Sequence, residues 1–406
     1  MKTYAVIGRG FGDEGKGLAV DYLASQKGKT LVVRHNGGAQ SGHTVEIPGK
    51  RFVFHELSSG SFRGAHTLWA KTFYPDLYKL IEEYQAFEAC IKDCQGERSI
   101  KIFADVRAQI TIVDDVFINM ALETKRGENR HGSCGMGINE ADLRSRAGYG
   151  ISVSDIFSLS EEEIQDKWKR IRKEYIPKRL LELKLTLSEM GEYGQMLADE
   201  DVLKNAIREM VKAKAYISPV TDMVSFIQDY DRIVFEAGQG LLLDANCTES
   251  MPHVTASRTG LMNPMAICEE MGISLDEVLY VTRSYLTRHG AGPLKYPCNK
   301  EILGEICEDQ TNLWNHWQGS VRYGFHEDID DFLKPVLSDM EESAVHKASF
   351  LITHLNETQS AFKTHSGDYT PEQLYDALTQ RMTLQNLYLS DTKYSKDIRD
   401  WKEMKE

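Results

Sequence analysis

Short apolar runs of strand length alternate along the chain with stretches whose apolar positions recur at helical spacing. That alternation predicts an α/β fold with a central, mainly parallel sheet and peripheral helices. The expected strands are Tyr4–Gly8, Thr30–Arg34, Lys101–Ala104, Arg232–Glu236, part of Glu277–Tyr285, and Phe350–His354. Between Ser160 and Tyr216 the pattern changes: twelve of the twenty residues from Glu161 to Leu180 are charged, while Ile164, Trp168, Ile171 and Tyr175 keep a helical spacing. A charged helical subdomain with one buried stripe is expected over 160–216. Repeats and low-complexity tracts are absent, and ten prolines spread over 406 residues mark no flexible linker.

With 41% hydrophobic and 27% charged residues the chain is neither disordered nor fibrous, and its length suffices for one large domain or two ordinary ones. The net charge of −13, from 48 Lys+Arg against 61 Asp+Glu, argues against nucleic acid or an anionic membrane as partner. Any phosphate must be bound locally. There is no apolar stretch of about 18 residues, and the start runs into a glycine-rich turn without a signal-peptide core, so a cytoplasmic protein is expected. Seven scattered cysteines without paired spacing are expected to be reduced thiols and not a zinc site.

The candidate chemistry begins at the first strand. Tyr4–Gly8 runs into Arg9-Gly10-Phe11-Gly12-Asp13-Glu14-Gly15-Lys16-Gly17 and then a helical segment. Strand, glycine loop and helix in that order make an anion site, with loop N–H groups facing a phosphate and Lys16 as a point cation. The spacing is that of a P-loop, but Gly17 stands where a Ser or Thr would bind magnesium. Asp13 is the obvious replacement oxygen ligand, since a carboxylate beside polyphosphate is costly unless it holds a metal or takes a proton. The second strand ends in a similar turn, His35-Asn36-Gly37-Gly38-Ala39-Gln40-Ser41-Gly42-His43-Thr44. Two such turns belong together at the crevice beyond the strand ends, where His43 can donate to a transferring phosphoryl group. Taken alone, this histidine reads better as structural.

Gly12-Asp13-Glu14-Gly15-Lys16-Gly17 followed by Gly42-His43-Thr44 resembles adenylosuccinate synthetase, and further matches continue in order: Gly132–Ile138, Glu236–Asp244, Val254–Ser257 and Thr287–Pro293. The resemblance spans roughly residues 1 to 356 and implies a single catalytic domain over 1–406 with that family's P-loop-related fold. It implies a Mg²⁺-dependent ligase in which GTP phosphorylates the 6-oxygen of IMP and the amine of L-aspartate then displaces phosphate. Asp13 would take the purine N1 proton and, with the Gly42 carbonyl, ligate Mg²⁺; His43 would stabilise the moving γ-phosphoryl. Gly12, Glu14, Gly15, Lys16, Gly17, Gly42 and Thr44 would hold the triphosphate. Gln40, Ser133, Cys134, Gln239 and Thr255 match IMP-binding positions. Arg146, with Arg144 as runner-up, is the candidate for an arginine donated across a homodimer interface. Read individually, Gln239 is also a plain strand-end amide, and Thr255 a helix cap or turn hydroxyl.

Besides Gln40, where the family has Asn, and Ser133-Cys134, where it has Thr-Thr, the chain departs from the family in two larger segments. The aspartate-binding loop, Thr-Thr-Gly-Arg-x-Arg-Arg-x-Gly-Trp in the family, is here Asn315–Phe325, so Gln318, Gly319, Ser320 and Arg322 form the candidate amino-acid loop and only Arg322 keeps its charge. Lys295 is a substitute cation, and His316 and Trp317 are either loop chemistry or packing. At the base of the triphosphate the family's Thr-Lys-Leu-Asp is Thr353-His354-Leu355-Asn356, and Asn356 fits the adenine edge better than guanine. His354, Asn356 and Ser390 are the candidates for that base, with Leu387–Asp391 otherwise a last edge strand and turn. ATP therefore stands beside GTP as phosphoryl donor, another 6-oxopurine nucleotide such as dGMP beside IMP, and another amine beside aspartate. A nucleotide-binding regulator without turnover is the alternative from a different class.

Overall fold

The computed structural model describes residues 1–93, 100–127, 130–307, 311–314 and 318–405. Its frame is a ten-stranded sheet. In chain order the strands are β1 (Lys2–Gly8), β2 (Thr30–Arg34), β3 (His66–Trp69), β4 (Ile102–Asp105), β5 (Ile217–Val220), β6 (Arg232–Gly240), β7 (Glu277–Arg283), β8 (Ala348–Thr353), β9 (Leu384–Leu389) and β10 (Arg399–Asp400). Across the sheet they run β10-β9-β8-β7-β1-β6-β2-β3-β4-β5. Neighbours are parallel throughout except β9 and β10.

The central strands are buried on both faces, which is why they read as unbroken apolar runs. Ala5, Ile7, Leu31, Val33, Ile233 and Phe235 pack on one side with Phe332, Leu333 and Val336 of the helix Ile329–Glu342. Their alternates Val6, Val32 and Val234 pack on the other side with Leu18, Ala19, Val20 and Leu23 of α1 (Lys16–Ala24). A further core lies beyond β3 and β4, and there Ile164, Trp168, Ile171 and Tyr175 are all buried. The charged helix Glu161–Arg170 starts at a capping box between Ser160 and Glu163, and Trp168 donates its indole N–H to Asp114 at 2.8 Å.

Several expected strands differ in extent. β1 begins at Lys2, β4 is displaced one residue to Ile102–Asp105, and β6 continues four residues past Glu236 to Gly240. His354 is not strand: it sits at φ 60° and opens a short 3-10 turn. β9 is covered by β10, so it is not the edge. No helix among the described residues is long and apolar enough to cross a membrane.

Because the strands are parallel, the loops after β1, β2, β6, β7, β8 and β9 leave the same edge. The segment after β6 is braced there by Asp339, whose carboxyl accepts from Leu261 N–H at 2.9 Å and the Tyr280 hydroxyl at 2.8 Å. Burial pushes this carboxyl up to about 6 from its ordinary 3.8. The folded protein then holds a proton that the unfolded chain releases, so stability falls as pH rises from about 4 to about 6. Asp339→Asn is expected to flatten that slope, measured as the urea midpoint across the same pH range.

Candidate active site

Beyond Gly8 the backbone enters the left-handed region three times, at Gly12 (φ 96°), Asp13 (φ 62°) and Gly15 (φ 95°). For Asp13 that conformation costs about 1–3 kcal/mol and must be imposed by its surroundings. Arg283, the last residue of β7, donates Nε–H to the Asp13 carbonyl at 2.6 Å. Thr353, the last residue of β8, donates its hydroxyl to the Glu14 carbonyl at 2.8 Å. Two strand ends therefore clamp the turn that presents the Asp13 carboxylate.

Glu14 and Lys16 do not simply face a ligand. Glu14 Oε1 accepts from the N–H groups of Gly10 (3.0 Å) and Gly12 (2.8 Å), while Lys16 Nζ lies 2.6 Å from Oε2, both side chains being buried. Burial alone would raise the Glu14 carboxyl, but Lys16 and the amides hold it below its ordinary value. Lys16 is thus shared with its own loop, and Glu14 contributes no side-chain donor to phosphate.

His43 opens the hairpin His43–Ile47/Lys50–Phe54. Its Nδ1 is 2.6 Å from Glu236 Oε1 in β6, and its Nε2 is 3.4 Å from the Gly238 carbonyl. Ser59 also donates to Glu236, through its hydroxyl and through its N–H at 3.2 Å. Against the effect of burial, Arg34, His43 and Ser59 hold the Glu236 carboxyl at about 2. Burial outweighs Glu236 and lowers His43, and its Nδ1 faces a carboxylate that can only accept. A Cβ at Gly17 would lie 3.0 Å from the Thr44 carbonyl and 3.2 Å from both His43 Cβ and Ser59 Oγ, which explains the glycine at the P-loop's usual hydroxyl position. The Thr44 hydroxyl is 2.8 Å from that of Thr311.

Next to His43 three amides converge. Asn36 donates to Gln239 Oε1 at 3.0 Å and accepts from Gly238 N–H at 2.9 Å. Gln239 Nε2 and Gln40 Oε1 are buried without a hydrogen-bond partner among the described residues. An unpaired donor and acceptor in one crevice are what a polar ligand satisfies.

The other predicted segments gather around Gly132. Ser133 donates to Asn119 at 2.9 Å and accepts from Gly135 N–H, and burial pushes the Cys134 thiol up to about 11. Gln318 donates to the Gly132 carbonyl at 3.2 Å, His289 meets the Gly319 carbonyl at 3.1 Å, and Ser320 is exposed. The expected amino-acid loop thus touches the expected phosphate loop. Thr255 is half-buried, its N–H bonded to the Leu243 carbonyl at 2.8 Å. Arg322, opposite Arg288 in a two-stranded hairpin, donates to the Gly290 carbonyl at 2.6 Å. At the triphosphate-base end Leu355 N–H bonds the Ser390 carbonyl, bringing His354 and Asn356 beside Ser390; Asn356 is exposed.

Several expectations need correction. Arg144 is fully buried, paired with Asp115 at 2.8 Å, and is not a residue that reaches another subunit; Arg146, with its side chain 71% exposed, is free of such burial. Arg288 is a brace, donating to the carbonyls of Ala291, Pro293 and His253 over the Phe11 ring. Lys295 pairs with Asp331 at the surface. The Ser390 hydroxyl is buried and donates to the Thr392 carbonyl. His316 and Trp317 lie outside the described residues.

Glu236, Asn36, Ser59 and Arg283 were missed as site residues. Glu236 carried a signal, a lone acid inside an apolar strand run. Ser59 and Arg283 carried none, because their roles exist only through tertiary contact. Among the described residues no three His, Cys, Asp or Glu side chains cluster as a metal site. Magnesium needs fewer: one or two carboxylates with phosphate oxygens suffice, and the Asp13 carboxylate with the Gly42 carbonyl is a compatible hard-oxygen set.

The family model for adenylosuccinate synthetase matches residues 5–318. The adenylosuccinate synthetase of Teredinibacter turnerae is 31% identical over 307 residues, covering 74% of this chain and 66% of that protein. That of Clostridium botulinum (strain Eklund 17B / Type B) is 29% identical over 301 residues, covering 72% and 65%. These alignments span about two thirds of the relatives' own length. Among solved structures, the fully ligated adenylosuccinate synthetase of Plasmodium falciparum superposes with a TM-score of 0.69 at 17% identity, covering 98% of this chain and 99% of that one. The succinoaminodeoxyadenylate synthetase of cyanophage S-2L, bound to dGMP and dATP, superposes at 0.65 with 14% identity, covering 98% and 95%. At these identities the two superpositions show a shared fold.

Gly15→Ala tests the loop geometry. A Cβ there meets Thr353 at 3.1 Å in a left-handed conformation, so a destabilisation of about 1 kcal/mol or more is expected. The stabilisation that a nucleoside triphosphate gives the wild type in a thermal melt is expected to vanish.

Proposed function

Because the chain belongs to the adenylosuccinate synthetase family, we propose that it is a Mg²⁺-dependent C–N ligase acting on a purine nucleotide. A nucleoside triphosphate phosphorylates the 6-oxo group, and an amine then displaces that phosphate. IMP and L-aspartate are the default substrates, giving adenylosuccinate, nucleoside diphosphate and phosphate. The observation that carries this reading is the Asp13 carboxylate, held at φ 62° on a phosphate-type loop by Arg283, at the same sheet edge as a histidine gripped by Glu236. A binding module gains nothing from a carboxylate forced toward phosphate.

Asp13 accepts the purine N1 proton, which makes O6 nucleophilic. O6 forms its bond to the γ-phosphorus as the bond to the β-bridging oxygen breaks, and His43, its Nδ1–H held by Glu236, donates Nε2–H to the moving phosphoryl group as an imidazolium. The amine nitrogen then attacks C6, the C6–O6 bond breaks, and phosphate leaves with O6 and the amine's proton. Bound by Asp13 and the Gly42 carbonyl, Mg²⁺ would neutralise phosphate charge. The unpaired Gln239 Nε2 and Gln40 Oε1 supply a donor and an acceptor to the nucleotide. Arg322 supplies the cation for the amino acid's carboxylate, since Arg288 is committed to carbonyls and Lys295 to Asp331. In a homodimer, the exposed Arg146 would reach the partner's nucleotide.

A second reading takes another 6-oxopurine nucleotide, such as dGMP, with ATP. Asn356 in place of the family's base-reading aspartate favours it, and the cyanophage enzyme of the same fold is bound to dGMP and dATP. The test is a matrix of IMP or dGMP, aspartate or other amines, and GTP or ATP, each with Mg²⁺, read as phosphate release and purine absorbance. Turnover with IMP and aspartate is expected. Product only from dGMP would establish the second reading, and no product from any combination would end both. Asn356→Asp is expected to shift the kcat/KM ratio toward GTP by about tenfold or more.

A further inference from the structure

Glu236 touches no reacting atom in the chemistry above, yet it is among the most enclosed charged groups of the fold. It lies in β6, directly across from Arg34 of β2, with no solvent exposure. A carboxylate in such a place is unfavourable unless several donors converge on it. Three do: His43 Nδ1 at 2.6 Å, the Ser59 hydroxyl, and Ser59 N–H at 3.2 Å. Arg34 contributes charge, while its own N–H groups go to the Leu57 carbonyl and Ser41 Oγ. The charged or titratable groups around the imidazole are Glu236 from β6, Arg34 from β2, Lys16 from α1 and His55 beyond the hairpin.

We propose that Glu236 is a positioning residue for His43: it fixes the plane of the ring and holds a proton on Nδ1, so that the further proton Nε2 needs to donate to a phosphoryl oxygen makes the ring an imidazolium paired with the Glu236 carboxylate. The geometry leaves one arrangement. If Nδ1 carried no hydrogen, its lone pair would face a carboxylate oxygen at 2.6 Å. Nε2 lies 3.4 Å from the Gly238 carbonyl, too far for a good hydrogen bond, so it stays open to the site. Ser59 extends the arrangement to the phosphate loop, since it also packs at the Gly17 position at the start of α1. Glu236 therefore couples the ring's orientation to the seating of the helix that carries Lys16.

The catalytic consequence rests on the ligase reading; the tautomer does not, and the two are tested separately. In protein labelled with ¹⁵N-histidine, the His43 signal is expected to show the proton on Nδ1, and Glu236→Gln to move it wholly or partly to Nε2. In the assay that gives turnover, Glu236→Gln is expected to lower kcat by about 10²–10⁴-fold, the scale seen when the carboxylate behind a catalytic histidine is neutralised, with nucleotide KM within about threefold. Ser59→Ala, which deletes one donor to Glu236 and keeps its charge, is expected to lower kcat by less than Glu236→Gln and to leave the proton on Nδ1. A wild-type spectrum with the proton on Nε2, or a folded Glu236→Gln variant with unchanged tautomer and kcat, overturns the proposal. If Glu236→Gln does not fold, the wild-type and Ser59→Ala spectra decide it. Absence of turnover by the wild type with every substrate pair would instead remove the ligase reading and leave the tautomer result standing.

Discussion

The loop after β1 is wrapped around a carboxylate of its own. Glu14 turns inward, and the space it occupies exists because two neighbouring residues, Gly8 and Gly240, have no side chain. A Cβ at Gly8 would fall 2.5 Å from Glu14 Oε2, and one at Gly240 would fall 2.2 Å from the Gly10 carbonyl and 2.3 Å from Glu14 Oε1. With Gly10 and Gly12 amides on one oxygen and Lys16 on the other, the buried charge is satisfied by charge-assisted bonds worth about 1.5–3 kcal/mol each. Removing one partner would leave the other charge stranded. The rest of the edge follows from this. The loop can approach β6 only at Gly240, the left-handed turn at Gly12 and Asp13 lets the chain pass around Glu14, and Asp13 is the side chain left on the outside.

The same principle recurs one strand away. Glu236 is to the histidine turn what Glu14 is to the glycine loop, an anion within the frame that organises donors around it. Both draw on donors that reappear in the proposed chemistry, Lys16 for Glu14 and His43 for Glu236. A triphosphate arriving at such an edge meets donors already oriented by internal carboxylates, so less ordering is required at the moment of binding.

Much of the frame was legible because central parallel strands are buried on both faces: Thr30–Arg34 matches its expected extent, and Arg232–Glu236 and the strand within Glu277–Tyr285 are present. The outer strands were not. His66–Trp69 has no apolar run to mark it, and Ile217–Val220 contains Pro219, tolerable only because that strand lies at the sheet edge. In the site, spacing and glycine content led to Asp13 and His43, while Gly42 and Gln239 came only through the family resemblance. What remained illegible was every role defined by a partner distant in the chain, such as Arg283 on Asp13 and Ser59 on Glu236. Choosing between Arg144 and Arg146 was likewise beyond local spacing, since the distinction is that Asp115 holds one of them inside.

The net charge of −13 takes on a more specific meaning when the cations near this edge are followed individually. Lys16 is matched by Glu14 and Arg146 by Asp142, whereas Arg288 and Arg322 sit opposite each other on a hairpin with carbonyls as their acceptors. Like charges directly across an antiparallel pair are unfavourable. Burial and the neighbouring Arg322 push Arg288 down to about 10, and burial lowers Arg322 as well. Arg288 answers the conflict with three carbonyls and an aromatic ring, which fix its guanidinium in place. Arg322 spends one amino group on Gly290 and keeps further N–H groups of its fork, so an incoming carboxylate gains a bidentate partner and at the same time relieves the repulsion within the hairpin. In a strongly acidic protein that local positive excess would favour the approach of the carboxylate that the proposed reading requires.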